Sequence, residues 1–351
     1  MNAASRKPGN VQSGRFPVLR GTIFPVGTVL KVLKQQRRGE RSMSDYVFLI
    51  VGIGCAAFGG ELFVRGAVGT ALALRIAPAI IGVTVAAFAT SSPELSVAIS
   101  SGLAGRSQIS MGDALGSNIV NIALILGIAL IISDISVASG TIRRDISAAV
   151  LIPLLTGFFL LDGNLSRLDG MLMLCMFIAW LTAAVLEAAR QRNSSESGSG
   201  GTSVLSSALF AIGGLVLLVI SGRLIVSGAT AIARAFGLDE FIIGATVVAL
   251  GTSMPELASL VFARLRGHDE IGLGTILGSN IFNGLFILSV AAILSPARPP
   301  LPEVLPALAF GLLSVLIALP WRNSGRIRRV QGVFLLLLYF LYLVTAVLLR
   351  P

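Results

Sequence analysis

The stretch IIGVTVAAFATSSPEL, residues 80–95, returns as IIGATVVALGTSMPEL at residues 242–257. Eleven of sixteen positions are identical, at an offset of 162. The same offset carries ISMGDALGSNIVNI, 109–122, onto IGLGTILGSNIFNG, 271–284, with eight of fourteen identical. It also places Gly66 on Gly228 and Gly170 on Gly332. A single offset held over so long a span marks a duplication rather than two unrelated apolar helices. The halves run over 43–189 and 205–351. Between them, 190–204 is rich in Ser and Gly and reads as a flexible surface linker.

Composition says where the duplicated unit resides. The chain is 54% hydrophobic and 13% charged, against ~25% charged in ordinary soluble domains. Its mean hydropathy is +0.88. Ten apolar stretches are each long enough for a hydrocarbon core of ~30 Å: 46–70, 77–102, 108–133, 146–162, 168–189, 204–229, 239–264, 270–294, 302–320 and 328–349. They are too long and too continuously apolar for alternating barrel strands. The expected fold is an all-α integral membrane protein with ten transmembrane helices. Five spans per half is an odd number, so the second half starts on the opposite face of the membrane. Inverted-topology repeats of this kind characterise secondary transporters, with the site near the midplane on broken helices.

Loop charge orients the chain, because cytoplasmic loops hold excess Lys and Arg. With the start of the first span outside, eleven arginines fall in inside loops and five in outside loops. The 190–204 linker is then cytoplasmic, in a multi-pass protein of the cell membrane. The net charge of +10 reflects this asymmetry and a basic tail, not a nucleic-acid surface. Residues 1–42 carry nine Lys/Arg and lack a continuous apolar segment, so they read as a disordered extension rather than a cleaved signal. Met43 opens directly into the first apolar stretch. A chain beginning at Met43 is therefore expected to insert and function like the full chain. Loss of insertion at matched expression would show that 1–42 has a targeting or structural role. Cys55 and Cys175 form no CxxC pair, and the only histidine, His268, sits in the polar stretch RLRGHDE. Neither residue type makes a metal or redox motif here.

The acids inside the apolar stretches carry the chemistry. An ionised side chain at the helix centre costs ~2.5–3.5 kcal/mol on insertion scales. Glu94 nevertheless follows T-S-S-P, and Glu256 follows T-S-M-P at the matching place in the other half. In each half, 22 residues separate the proline from G-S-N-I-x-N. Glu94 and Glu256 offer carboxylates. Thr90, Ser91, Thr252, Ser253, Ser117 and Ser279 offer hydroxyls, and Asn118, Asn121, Asn280 and Asn283 offer amide oxygens. Pro93 and Pro255 lack the N–H that a carbonyl four residues back would accept, which frees backbone oxygen as well. Such an oxygen-rich, twofold-related cage with two negative charges suits calcium, which takes 6–8 oxygens in flexible geometry. Sodium accepts the same oxygen types. Asn118 and Asn280 serve equally well as ties between helices. Asp113, whose counterpart is Thr275, reads as a cap for the third span. Glu61 aligns with Arg223, and the two read as near-interface charges or a gating pair.

The paired TSxPE and GSNIxN motifs resemble the alpha repeats of the sodium/calcium exchanger family, within the cation/calcium exchanger superfamily. The resemblance covers 43–351. It implies an ion site made of Glu94, Glu256, Thr90, Ser91, Thr252, Ser253, Ser117, Asn121, Ser279 and Asn283. It also implies a sliding gate formed by 46–70 and 204–229. Three departures stand out. Ala89 replaces a glycine, which predicts a stiffer break in the first half. Asp113 and Thr275 replace an asparagine often found there. Asn283 replaces an aspartate that the resemblance links to potassium-coupled members, leaving a formal site charge of −2 and no expected potassium dependence.

The expected function is antiport of calcium against sodium, with both ions as cargo, no cofactor and no obligatory protein partner. Proton-coupled calcium exchange is the nearest alternative, although its members usually carry a glutamate within the G-N motif. A cation channel is more remote, because inverted repeats with broken helices favour alternating access. A membrane-embedded enzyme is disfavoured, since no nucleophile–base pair is evident.

Overall fold

The computed structural model describes residues 43–74, 78–137, 140–194, 203–235, 240–320 and 325–348. The 1–42 extension and most of the 190–204 linker lie outside these residues. Twelve helical elements fill the described chain. They are α1 (Met43–Leu74), α2 (78–90), α3 (Ser92–Leu103), α4 (Ser107–Ile132), α5 (Gly140–Phe159), α6 (Arg167–Ser194), α7 (Val204–Ala235), α8 (240–252), α9 (Met254–Leu265), α10 (Asp269–Leu294), α11 (Leu301–Ile317) and α12 (Arg329–Leu348). Taking α2–α3 and α8–α9 as two broken spans gives ten spans, in the ten apolar stretches. By length and apolarity alone, five spans qualify among the described residues: α4, α6, α8–α9, α10 and α12. The bent pair α2–α3 makes a sixth.

The span ends shift where sequence hydropathy misses a helix end. α5 begins at Gly140, ahead of the expected 146, because its first turns hold charged residues that pair locally. Arg144 donates to Asp145 at 2.9 Å and also to Glu187 of α6. Trp180 Nε1 of α6 donates to Asp145 at 3.2 Å. Charge that looks like a loop in sequence is thus helix tied to helix.

Both broken spans break at the same place. Ser91 has φ −82° and ψ 7°, and Ser253 has φ −82° and ψ 6°. Pro93 and Pro255 then sit in the first turn of α3 and α9, where a missing N–H costs nothing. The α2 and α3 axes diverge by 49°. Ala89 does not stiffen its half. The break dihedrals match because the bend occurs at Ser91, two residues beyond the alanine.

Twofold symmetry persists in loop geometry. Gly105 and Gly267 end α3 and α9 with φ +70° and +74°. Each turn closes with a backbone N–H reaching five residues back, Arg106 to Ser101 and His268 to Ala263, both at 2.8 Å. This is the left-handed helix stop that glycine permits. The short strands β1 (Ile135–Ser136) and β2 (Arg326–Ile327) pair antiparallel, with Ile135 opposite Ile327. Their symmetry mate is the bridge between Leu165 and Ala297.

The core gathers around α4 and α10. Ile119, Ile122, Ile125, Leu126 and Leu130 of α4 are fully buried, as are Ile281 and Leu288 of α10. Glycines bring these helices close to the broken spans. A Cβ on Gly116 would lie 2.3 Å from the Ala245 carbonyl oxygen, and one on Gly278 would lie 2.5 Å from that of Val83. Both α4 and α10 contain a π-type stretch just past the G-S-N turn, Val120–Leu126 and Phe282–Ile287. Such stretches recur at functional sites.

α1 and α7 stand apart from that core and pack on each other. A Cβ on Gly66 would fall 2.1 Å from the Ala211 nitrogen, and one on Gly214 would fall 2.4 Å from the Phe63 nitrogen. Their outer faces are apolar and exposed, with Ile50, Phe58, Leu205 and Leu209 all more than half accessible, as lipid-facing surfaces require. Gly66→Ala is expected to lower thermal stability by about 1–3 kcal/mol, because backbone rather than a flexible side chain must give way. Gly54→Ala meets nothing within 4 Å. It should be neutral or slightly stabilising, given the better helix propensity of alanine. Melting curves of the two purified variants in detergent check the contrast, and equal losses would show that α1 and α7 are not in close backbone contact.

Candidate ion-binding site

The broken spans and the G-S-N turns of α4 and α10 bring the motif side chains together in the interior. Thr90, Ser91 and Glu94 come from the α2–α3 break, and Thr252, Ser253 and Glu256 from the α8–α9 break. Ser117 and Asn121 come from α4, and Ser279 and Asn283 from α10. Each of these ten residues is at most 2% exposed.

Contacts cross between the halves in symmetric pairs. The Thr90 and Ser279 hydroxyls lie 3.3 Å apart, and their mates Ser117 and Thr252 also lie 3.3 Å apart. Ser279 donates to Glu256 Oε1 at 3.0 Å, and Ser91 donates to the same oxygen at 3.4 Å. Asn118 Nδ2 donates to the Asn280 carbonyl, and Asn280 Nδ2 to that of Asn118, each at 3.2 Å. These two asparagines therefore tie α4 to α10, as one of their two readings anticipated. Asn121 Nδ2 adds a bond to Asn280 Oδ1 at 3.0 Å.

Other oxygens remain without partners. Both carboxylate oxygens of Glu94, Glu256 Oε2, Ser253 Oγ and Asn121 Oδ1 are buried with no hydrogen bond. Neither side-chain polar atom of Asn283 has one. A buried charge left this way is costly unless something neutralises it. Among the described residues, ion pairs engage Glu61, Asp145, Glu187 and Asp269, and none reaches Glu94 or Glu256. No three His, Cys, Asp or Glu side chains among the described residues stand at metal-ligand spacing. A cation here would be held by mixed carboxylate, hydroxyl and amide oxygens, the hard donors that suit calcium rather than softer metals.

Asp113 corrects the sequence reading. It is fully buried about two turns into α4, the seventh residue of a helix that starts at Ser107, so it caps nothing. Thr252 Oγ1 donates to its Oδ1 at 3.0 Å and Ser117 Oγ does so at 3.5 Å, while Oδ2 has no partner. Three buried carboxylates therefore stand in this region, not two. The signal was present in the spacing: Asp113, Ser117 and Asn121 recur every four residues and share one helix face. Glu61 is engaged by two arginines. It accepts from Arg65 at 2.7 Å and from Arg266 at 3.1 Å, linking α1 to the end of α9. The Arg223 side chain lies outside the described residues. Cys55 and Cys175 are free thiols, and His268 directly precedes α10.

An inverted pair of five-helix units, each delivering a broken span and an acid to a shared buried oxygen cluster, defines a secondary cation transporter of the membrane. The sequence profile described as sodium/calcium exchanger protein matches the chain twice, over 44–186 and 206–348. The chain belongs to the sodium/calcium exchanger family. It is 36% identical to the putative antiporter CaxA of Alkalimonas amylolytica over 84% of this chain and 96% of that one. It is 34% identical to the inner membrane protein YrbG of Escherichia coli over 82% and 92% of the two chains. Its fold is similar to that of the sodium-calcium exchanger NCX_Mj soaked with sodium and strontium. That match has a TM-score of 0.74 at 29% identity and covers 86% of this chain and 98% of the other.

Proposed function

We propose that this protein exchanges calcium for sodium across the membrane by alternating access. Its cargo ions are held by Glu94, Glu256, Thr90, Ser91, Thr252, Ser253, Ser117, Asn121, Ser279 and Asn283. One observation carries the reading above others. Glu94 and Glu256 are fully buried at twofold-related helix breaks, among hydroxyls and amides, with no basic side chain on their oxygens. A mobile cation relieves that arrangement, and its departure restores the repulsion.

The repeats act as units 43–189 and 205–351 joined by 190–204. α1 and α7 slide as a pair against the rest, since they pack backbone to backbone with each other. The arginine excess in alternate loops supports a linker on the cytoplasmic side. The bilayer is the only other partner the reading requires. The test is radiolabelled calcium uptake into proteoliposomes, with sodium, potassium and proton gradients imposed separately. Uptake that follows the sodium gradient is the expected result, and uptake indifferent to sodium overturns it.

A further inference from the structure

The two halves of the site are not equivalent, and Asp113 accounts for part of the difference by drawing Ser117 and Thr252 to itself. By twofold symmetry, the bonds from Ser279 and Ser91 to Glu256 should have mates from Ser117 and Ser253 to Glu94. Neither mate forms. Ser117 turns to Asp113 Oδ1, Thr252 donates to the same oxygen, and Ser253 Oγ has no partner. The symmetry counterpart of Asp113 is Thr275, whose hydroxyl is satisfied by the Ile271 carbonyl of its own helix at 2.8 Å. No competing carboxylate stands beside Ser279 and Ser91, and both donate to Glu256. The first half has one, and Glu94 keeps both oxygens free.

We infer that Asp113 is a third carboxylate of the ion site, a positioning residue that makes the two halves chemically distinct. The inference rests on the exchange reading above. A hydroxyl that donates its proton to Asp113 turns its lone pairs elsewhere. Asp113 thus holds Thr252 and Ser117 as neutral oxygen ligands and leaves the whole Glu94 carboxylate for the cation. Its unpartnered Oδ2 adds negative charge in the same dry region. The formal charge of the region becomes −3 rather than −2. That load lets the Glu94 half take the more demanding cation while Glu256 stays partly neutralised by its two hydroxyl bonds.

Asp113→Asn tests this directly, because it keeps the size and an acceptor oxygen for Thr252 but removes the charge. Half-saturating calcium should rise about tenfold or more, the scale of a lost charge-assisted contact, and half-saturating sodium should rise with it. The maximal rate at saturating ions should change little. Asp113→Glu, which retains the charge, should keep half-saturation near the wild-type value. Asn283→Asp in the Asp113→Asn background should recover part of the loss by returning a carboxylate to α10. A residue that merely supports the fold would lower maximal rate and yield while leaving half-saturation in place, and that outcome overturns the inference. If Asp113→Asn does not insert, Thr275→Asp makes the same test with the opposite sign. It should lower half-saturating cation concentrations, and unchanged values overturn the inference. Thermal protection of the purified wild-type and Asp113→Asn proteins, titrated with calcium chloride alone, separates this idea from the transport reading. Protection that needs tenfold more calcium in the variant supports Asp113 even if wild-type flux ignored sodium. Equal protection rejects Asp113 even if wild-type exchange proceeds.

Discussion

Calcium exchange is expected to be abolished by either Glu94→Gln or Glu256→Gln, with the protein still inserted and folded. The amide is nearly the same size, so packing around these buried positions survives. What disappears is one full charge facing a divalent ion at ~2.3–2.6 Å. Even at an effective dielectric near 20, unit charges that close attract by several kcal/mol. A net loss of only ~3 kcal/mol already weakens binding about a hundredfold. The structure adds a distinction between the two. Glu256 accepts hydrogen bonds from Ser279 and Ser91 that a glutamine oxygen can keep, whereas Glu94 has no such bonds to preserve. Residual calcium binding, if any survives, should therefore be found in the Glu256 variant. Flux in proteoliposomes together with detergent size-exclusion profiles checks the pair. Wild-type flux in either well-folded variant would remove that glutamate from the site.

Calcium movement should follow an imposed sodium gradient and should not need potassium. Sodium resembles calcium in radius and accepts the same hard oxygens, so the two compete for one set of ligands. Filling the site relieves repulsion between Glu94 and Glu256, and in the proposed cycle α1 and α7 then move past a core whose charge is largely offset. That coupling of occupancy to movement makes exchange obligatory. Potassium is larger and would need more room and charge on α10, where Asn283 supplies a neutral amide. Introducing Asn283→Asp should change the cation dependence. The measurement is calcium flux under a sodium gradient, with and without potassium and with a protonophore added. Flux that ignores sodium and follows pH would favour proton coupling, and a potassium requirement would refute the reading of Asn283.

Much of the fold was legible because its signals are local and repeated. Ten apolar stretches and a constant offset are properties of the linear chain, and helix is the open-ended structure that satisfies its own backbone in lipid. The T-S-x-P-E motif located the helix breaks, with its proline in the first turn after each break, although Pro153 and Pro306 lie inside α5 and α11 without ending them. Hydropathy was less informative at helix ends. The first turns of α5 look like a loop because they hold Arg143, Arg144 and Asp145, yet they are helical. The glycine rule also misled at Ala89, because the break falls on Ser91, whose backbone angles match those of Ser253.

The sequence by itself determined the duplication, the membrane class, the inverted topology and which oxygen-bearing side chains the two halves hold in common, since identity at a constant spacing is written in the chain. Which of those side chains meet was decided only in three dimensions. Thr90 finds Ser279, and Ser117 finds Thr252, across more than a hundred residues of intervening chain. Asp113 shows the limit most clearly. Read along the chain, it is an acid near a helix start, matched to a threonine and outside the shared motif. Folded, it accepts from Thr252 of the other half and from Ser117, whose symmetry mate Ser279 donates to Glu256 instead. A residue that breaks the repeat leaves no repeated signal, so its role emerges only when close packing of α4 against α8 puts its carboxylate beside the other half's hydroxyl.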